Sequence, residues 1–210
     1  MKTPECLRDD LKKTLDHITT SYDKLRKNTG RGKTFAFADA HKLTEGLLLS
    51  AWTHWEEFLR ELLIVDVASD PGSALCSEVS KFRLKAAPHR IAERMVNHPD
   101  HPDKYVTWDL DIVKKRADVL LPSGHRFAVS LSNLSNLALI KRIRNGIAHK
   151  SDKAWGSFKR LVMEPPFSLA ANQQKGITVG RFLYSSQWNG DNVLICIVNS
   201  LRDWTDQLVP

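Results

Sequence analysis

Cysteine is scarce in this chain. There are three in 210 residues, Cys6, Cys76 and Cys196, widely separated and without a Cys-x-x-Cys pair. That spacing excludes a disulfide framework and a structural zinc site of recognised type. Cys196 lies in VLICIV and reads as a small buried apolar residue. No apolar run approaches the roughly 20 residues that span a bilayer. The start, MKTPECLRDDLKK, has no apolar stretch of signal-peptide length. Internal repeats and strand-helix alternation are also missing, and no long polar tract signals disorder. These absences lead to the expectation of a soluble, cytoplasmic chain with reduced thiols and no membrane partner.

What is present is enough apolar material for a core and an excess of positive charge. Hydrophobic residues make up 42% of the chain and charged residues 26%, with a formal net charge of +7. The length suits one domain, or one domain with a small annex. A positive balance favours a polyanionic partner such as nucleic acid without identifying one.

Helical periodicity dominates. In residues 5–28, Leu7, Leu11, Leu15, Ile18, Tyr22 and Leu25 recur at spacings of three and four. TGRGKT then breaks the pattern. It lacks the full phosphate-loop spacing and no apolar strand precedes it, so it reads as a solvated turn. A second helix is expected over 37–67, with Leu43, Leu47, Ala51, Trp55, Phe58, Leu62 and Leu63 on its apolar face. Residues 78–96 read as helical with an interruption near Pro88. The His-Pro-Asp repeat in NHPDHPDKY reads as a surface loop, because its prolines forbid regular helix and no other ligands stand at metal-binding spacing.

A helix led by Asp109 or Asp111 follows. Further helices are expected over 131–149, 152–163 and 191–208, the last packing through Val193, Ile195, Ile197, Val198, Leu201 and Trp204. ITVGRFLY in the tail reads as a short strand or extended arm. The expected class is all-α.

One helix end raises a chemical question. LALIKRIRNGIAHKSD, residues 137–152, puts Arg142, Arg144, Asn145 and His149 in the last turns of an apolar helix. An arginine and a histidine with four to six residues between them are common by chance. Arg83 to His89 and Arg94 to His101 also qualify, but neither pair closes a strongly apolar helix. At 100° per residue Arg142 and His149 are nearly eclipsed, with Asn145 on the same face, whereas Arg144 points roughly 140° from His149. Arg144 joins that face if the backbone loosens, and Gly146 is the residue that would allow it. The alternative reading is an ordinary basic helix end, complementing the helix dipole before a stop at Lys150-Ser151.

RNGIAH resembles the Arg-Asn-x-x-x-His motif of the HEPN superfamily, helical domains found in many prokaryotic ribonucleases and toxins. LLLSAWTHWEEFLRELL, residues 47–63, is similar to the paired helix of its RiboL-PSP-type group, with Trp55, Glu56 and Phe58 in the matching places. GITVGRFLYSSQW and the closing helix are also similar to that group. The likeness covers roughly residues 40–65 and 131–208, leaving a middle stretch of about 70–125 without it. The resemblance implies one HEPN-like domain over 1–210, an antiparallel helix bundle with extra helices, a family-unlike insertion and a short extended C-terminal arm.

Carried over by position, Arg144, Asn145 and His149 are the implied catalytic residues. Arg142, Lys141 and Lys150 are expected to bind RNA, and Glu56 is a candidate supporting carboxylate that either pairs with one arginine or belongs to a solvated face. One subgroup has a tyrosine two residues after the histidine. Here that position is Ser151, which departs from its pattern.

The expected activity is metal-independent RNA cleavage without a cofactor. A homodimer is expected to bring two motifs to one cleft, in a toxin–antitoxin or phage-defence setting with an antitoxin or defence partner protein. A non-catalytic HEPN module that binds RNA or protein is the alternative. A helical DNA-binding regulator is a third, although no helix-turn-helix with a basic recognition helix stands out.

Overall fold

The computed structural model describes residues 2–76, 88–97, 108–128, 131–149 and 151–210. The protein is predominantly α-helical, as the periodicity requires. In chain order the described elements are α1 (Pro4–Lys27), α2 (Phe37–Ser69), α3 (Pro88–Val96), α4 (Leu110–Leu120), α5 (Ser135–Ala148), α6 (Asp152–Met163), α7 (Ala171–Gln174) and α8 (Val179–Ser185), followed by a hairpin of β1 (Gln187–Trp188) and β2 (Asp191–Asn192), and then α9 (Val193–Leu208). Among the described residues no helix is long and apolar enough to cross a membrane. The His-Pro-Asp repeat and the expected helix before Pro88 lie outside the described residues.

The chain forms two compact units. The first comprises Met1–Lys12, His54–Leu131 and Thr205–Pro210; the second comprises Lys13–Thr53 and Ser132–Trp204.

In the first unit the later part of α2 supplies a continuous apolar column. Trp55, Leu59, Leu62, Leu63, Ile64 and Val67 are fully buried, and Trp55 stacks on Phe58 with ring centroids 5.7 Å apart. Asp109 caps α4, accepting from the backbone N–H groups of Asp111 and Ile112, which satisfies donors that a helix start otherwise leaves open. Arg126 ties two segments together: its Nε donates to Asp66 at 2.8 Å and its Nη1 to the Leu208 carbonyl at 2.9 Å. Burial pushes the Asp66 carboxyl above its ordinary range, and the charge of Arg126 opposes that shift.

In the second unit an aromatic cluster joins the later helices. Phe182 meets Phe158 and Phe167 edge-on at 5.7 and 4.9 Å, and Phe167 meets Trp188 at 5.4 Å. Edge-to-face contacts of this kind add to what burial alone provides. Tyr22 on α1 donates its hydroxyl to the Tyr184 carbonyl at 2.9 Å, so a buried phenol keeps its polar tip satisfied.

Three local expectations are corrected here. Leu43 is not part of the buried face of α2: it is 46% exposed, while Thr44 and Leu48 are buried. Thr44 can be buried because its hydroxyl donates to the Ala40 carbonyl at 2.7 Å. Ile195 is only half-buried, and its neighbour Leu194 packs in its place.

The third correction concerns ITVGRFLY, which is a helical turn and not a strand. Thr178 caps α8 by accepting from the Arg181 N–H at 3.1 Å. Val179, Phe182 and Leu183, at helical spacing, are buried. The extended stretch comes just afterwards, in the two-residue hairpin closed by Asn189 and Gly190, whose φ values are 51° and 88°. Two positive φ angles give the turn the twist that a tight hairpin needs.

Candidate functional site

The RNGIAH segment forms the end of α5. Leu137, Ile140 and Ile143 recur every third residue and are buried, so one side of the helix packs into the second unit. Arg142, Asn145 and His149 lie within roughly 60° of one another on the opposite side of a regular helix. The helix does stay regular: it runs unbroken to Ala148, and the His149 N–H donates to the Asn145 carbonyl at 3.0 Å. His149 itself has extended backbone angles, φ −115° and ψ 110°, and turns the chain away.

The loosening that Gly146 would permit does not occur. Gly146 serves close packing instead. A Cβ placed there would lie 3.1 Å from Val179 Cγ2 and 3.3 Å from Phe158 Cβ, so α6 and α8 approach α5 at the one residue with no side chain.

Arg144 nonetheless reaches the polar side through its own length. Its Nη1 donates to Asn145 Oδ1 at 3.1 Å, and the Asn145 direction is only about 40° from that of His149. The Nε of Arg144 is buried and has no hydrogen-bond partner among the described residues. Asn145 and His149 are exposed, and the imidazole makes no hydrogen bond among the described residues. An arginine fork, a carboxamide and an open imidazole thus follow one another along a single helix end.

Arg142 has a different position. It donates to the Ser157 hydroxyl at 3.3 Å and the Ser157 carbonyl at 2.9 Å, and stands 3.6 Å from the Glu164 carboxylate. These contacts hold α5 against α6 and occupy much of its donor fork. Replacing Arg142 with alanine should cost about 1 kcal/mol, because the contacts are charge-assisted but partly screened by solvent. Arg144→Ala should leave stability nearly unchanged, because the one hydrogen bond of its side chain among the described residues is exposed. Paired thermal melts check this, and equal losses of stability from the two variants would refute it.

Lys141 is half-buried on α5, and Lys150 lies outside the described residues. Glu56 belongs to the first unit, on α2, where it is 5% exposed. Ser151 begins the next helix instead of ending α5: its hydroxyl accepts from the Ala154 N–H at 3.2 Å. A serine here thus has a capping role of its own.

Among the described residues no group of three or more His, Cys, Asp or Glu side chains is placed to hold a metal ion. Sequence reasoning missed the anchoring of Arg142 by Ser157 and Glu164, since nothing local in either segment signals the other.

No protein-family model, no curated protein and no solved structure matches the chain.

Proposed function

We propose that this protein is a HEPN-type, metal-independent endoribonuclease working as a homodimer. The observation that carries the reading is the helix end itself, where the Arg144 guanidinium rests on Asn145 one turn before an exposed His149. In the reaction a ribose 2′-OH attacks its own 3′-phosphate. His149 takes the 2′-OH proton, and the bond from phosphorus to the 5′-oxygen breaks. Arg144 donates to the phosphate oxygens as their charge grows, an interaction worth most in the transition state. Asn145 orients the guanidinium or the phosphate.

The leaving 5′-oxygen needs a proton from the other side. One imidazole cannot serve both positions at once, so a second copy of the motif across a two-fold axis supplies it. The products are a 2′,3′-cyclic phosphate and a 5′-hydroxyl end. A net charge of +7 suits a polyanionic substrate. A toxin–antitoxin or phage-defence role, with a neutralising or defence partner in the cytoplasm, follows from the resemblance alone.

The test is direct. The purified protein should cleave RNA in EDTA, and its products should carry cyclic phosphate ends. Binding without cleavage would establish the second reading, a non-catalytic HEPN module. The occupation of Arg142 by Ser157 and Glu164 favours that reading, because it removes one phosphate-binding fork. A preference for duplex DNA would point to a regulator.

A further inference from the structure

The second unit holds a polar cleft of about 310 Å³, away from the RNGIAH helix end. Four asparagines converge on it from three segments. Asn133 and Asn136 come from the turn before α5 and its first residues, Asn189 from the hairpin, and Asn199 from α9. Asp191 and Asp203 complete the rim, and among the described residues no lysine, arginine or histidine lines it. Asn136 and His149 are 13 positions apart, or roughly 20 Å along a helix, so the cleft and the motif are separate.

The walls of the cleft are built from fixed parts. Trp204 on α9 donates from Nε1 to the Ser132 carbonyl at 2.8 Å, which ties α9 to the turn carrying Asn133. Trp188 is 4% exposed and held edge-on by Phe167. The Cys196 thiol donates to the Trp188 carbonyl at 2.8 Å, clamping the hairpin to α9.

None of the four carboxamide side chains makes a hydrogen bond among the described residues. Two of these asparagines have a backbone reason to be there: Asn133 and Asn189 have φ of 54° and 51°, a conformation asparagine tolerates better than most residues. Asn136 is half-buried and Asn199 exposed, and neither has a positive φ. Both are helical, where asparagine is a poor helix former, and neither caps a helix.

We infer that this cleft binds an uncharged, polyhydroxylated ligand of monosaccharide size through vicinal hydroxyl groups. The volume corresponds to about ten waters at roughly 30 Å³ each, which is ample for one sugar ring and far more than a bare ion requires. Ligand pockets usually have mostly apolar walls. This one is polar, so its ligand must match it group for group. A hydroxyl both donates and accepts. Adjacent hydroxyls can therefore donate to the Asp191 and Asp203 carboxylates while accepting from the asparagine N–H groups. An amine or guanidinium only donates and would leave those N–H groups unused. A phosphorylated ligand meets two carboxylates and, among the described residues, no cation.

The test uses the intact chain and isothermal titration with glucose, galactose and ribose, the matching sugar phosphates, and spermidine. At least one neutral sugar is expected to bind with a Kd in the range of about 0.1–10 mM. Its phosphate ester should bind at least roughly tenfold more weakly. Asn136→Ala and Asn199→Ala should each weaken sugar binding by roughly tenfold, with unfolding midpoints preserved because neither side chain has a partner to lose.

Ribose binding while the hexoses fail would assign the site to a pentose source, and hexose binding to a free hexose. No binding of any neutral sugar, equal binding of the phosphate ester, unchanged affinity in both variants, or binding of spermidine alone would each overturn the inference.

Discussion

His149→Ala is expected to slow RNA cleavage by about 10²–10⁴-fold, the usual worth of a positioned proton-transfer group. The unfolding midpoint should stay within about 2 °C of the parent protein. The asymmetry follows from where the side chain sits. His149 is exposed at the end of α5 and its imidazole makes no hydrogen bond among the described residues. Its backbone N–H, which donates to the Asn145 carbonyl, survives the substitution. Removing the ring therefore removes the proposed proton-transfer group and leaves packing alone. Cleavage measured as single-turnover loss of a labelled RNA, beside a thermal melt, separates the two effects. Undiminished cleavage by the variant would place the reaction elsewhere on the molecule and end the ribonuclease assignment of this helix.

The largest structural effect is expected at Gly180. Glu45 on α2 accepts from the Gly180 N–H at 3.0 Å, so a carboxylate from a distant helix satisfies one of the open donors at the start of α8. This closeness leaves no room for a side chain. A Cβ at Gly180 would fall on the His41 carbonyl and crowd Glu45 Oε1. The first obstacle is backbone within α2, which cannot swing aside as a flexible side chain would.

Gly180→Ala should therefore force α8 away, lengthen the Glu45 contact, and cost about 3 kcal/mol or more. For a chain of this size that is a fall of roughly 6–12 °C in melting temperature. Gly46, also on α2, is the natural control. A Cβ there meets nothing within 4 Å, so Gly46→Ala should raise stability by about 0.5–1 kcal/mol. Equal melting temperatures for the Gly180 variant and the parent would mean that α8 does not approach α2 as described.

How far the chain could be read in advance depended on whether a signal was local. The stripe of Leu7, Leu11, Leu15, Ile18, Tyr22 and Leu25 is buried throughout, because spacing along one helix specifies one face without help from elsewhere. The Asp109 cap was legible for the same reason. In ITVGRFLY two local signals competed. β-Branched residues suggested a strand, while Thr178 followed by Val179, Phe182 and Leu183 matched a capped helical turn. A distant carboxylate, Glu45, supports the helix, and no reading of eight residues could include it.

The amino-acid order by itself determined a helical protein with an excess of positive charge, and placed Arg142, Asn145 and His149 on one side of α5. A helix's period fixes those directions as soon as the helix forms. Tertiary structure alone decided what each of those groups touches. Ser157 and Glu164 engage Arg142, Gly146 admits neighbouring helices instead of breaking its own, and four asparagines from three segments meet around one cleft. Directions follow from a repeating backbone, whereas partners depend on how remote segments fold back on one another.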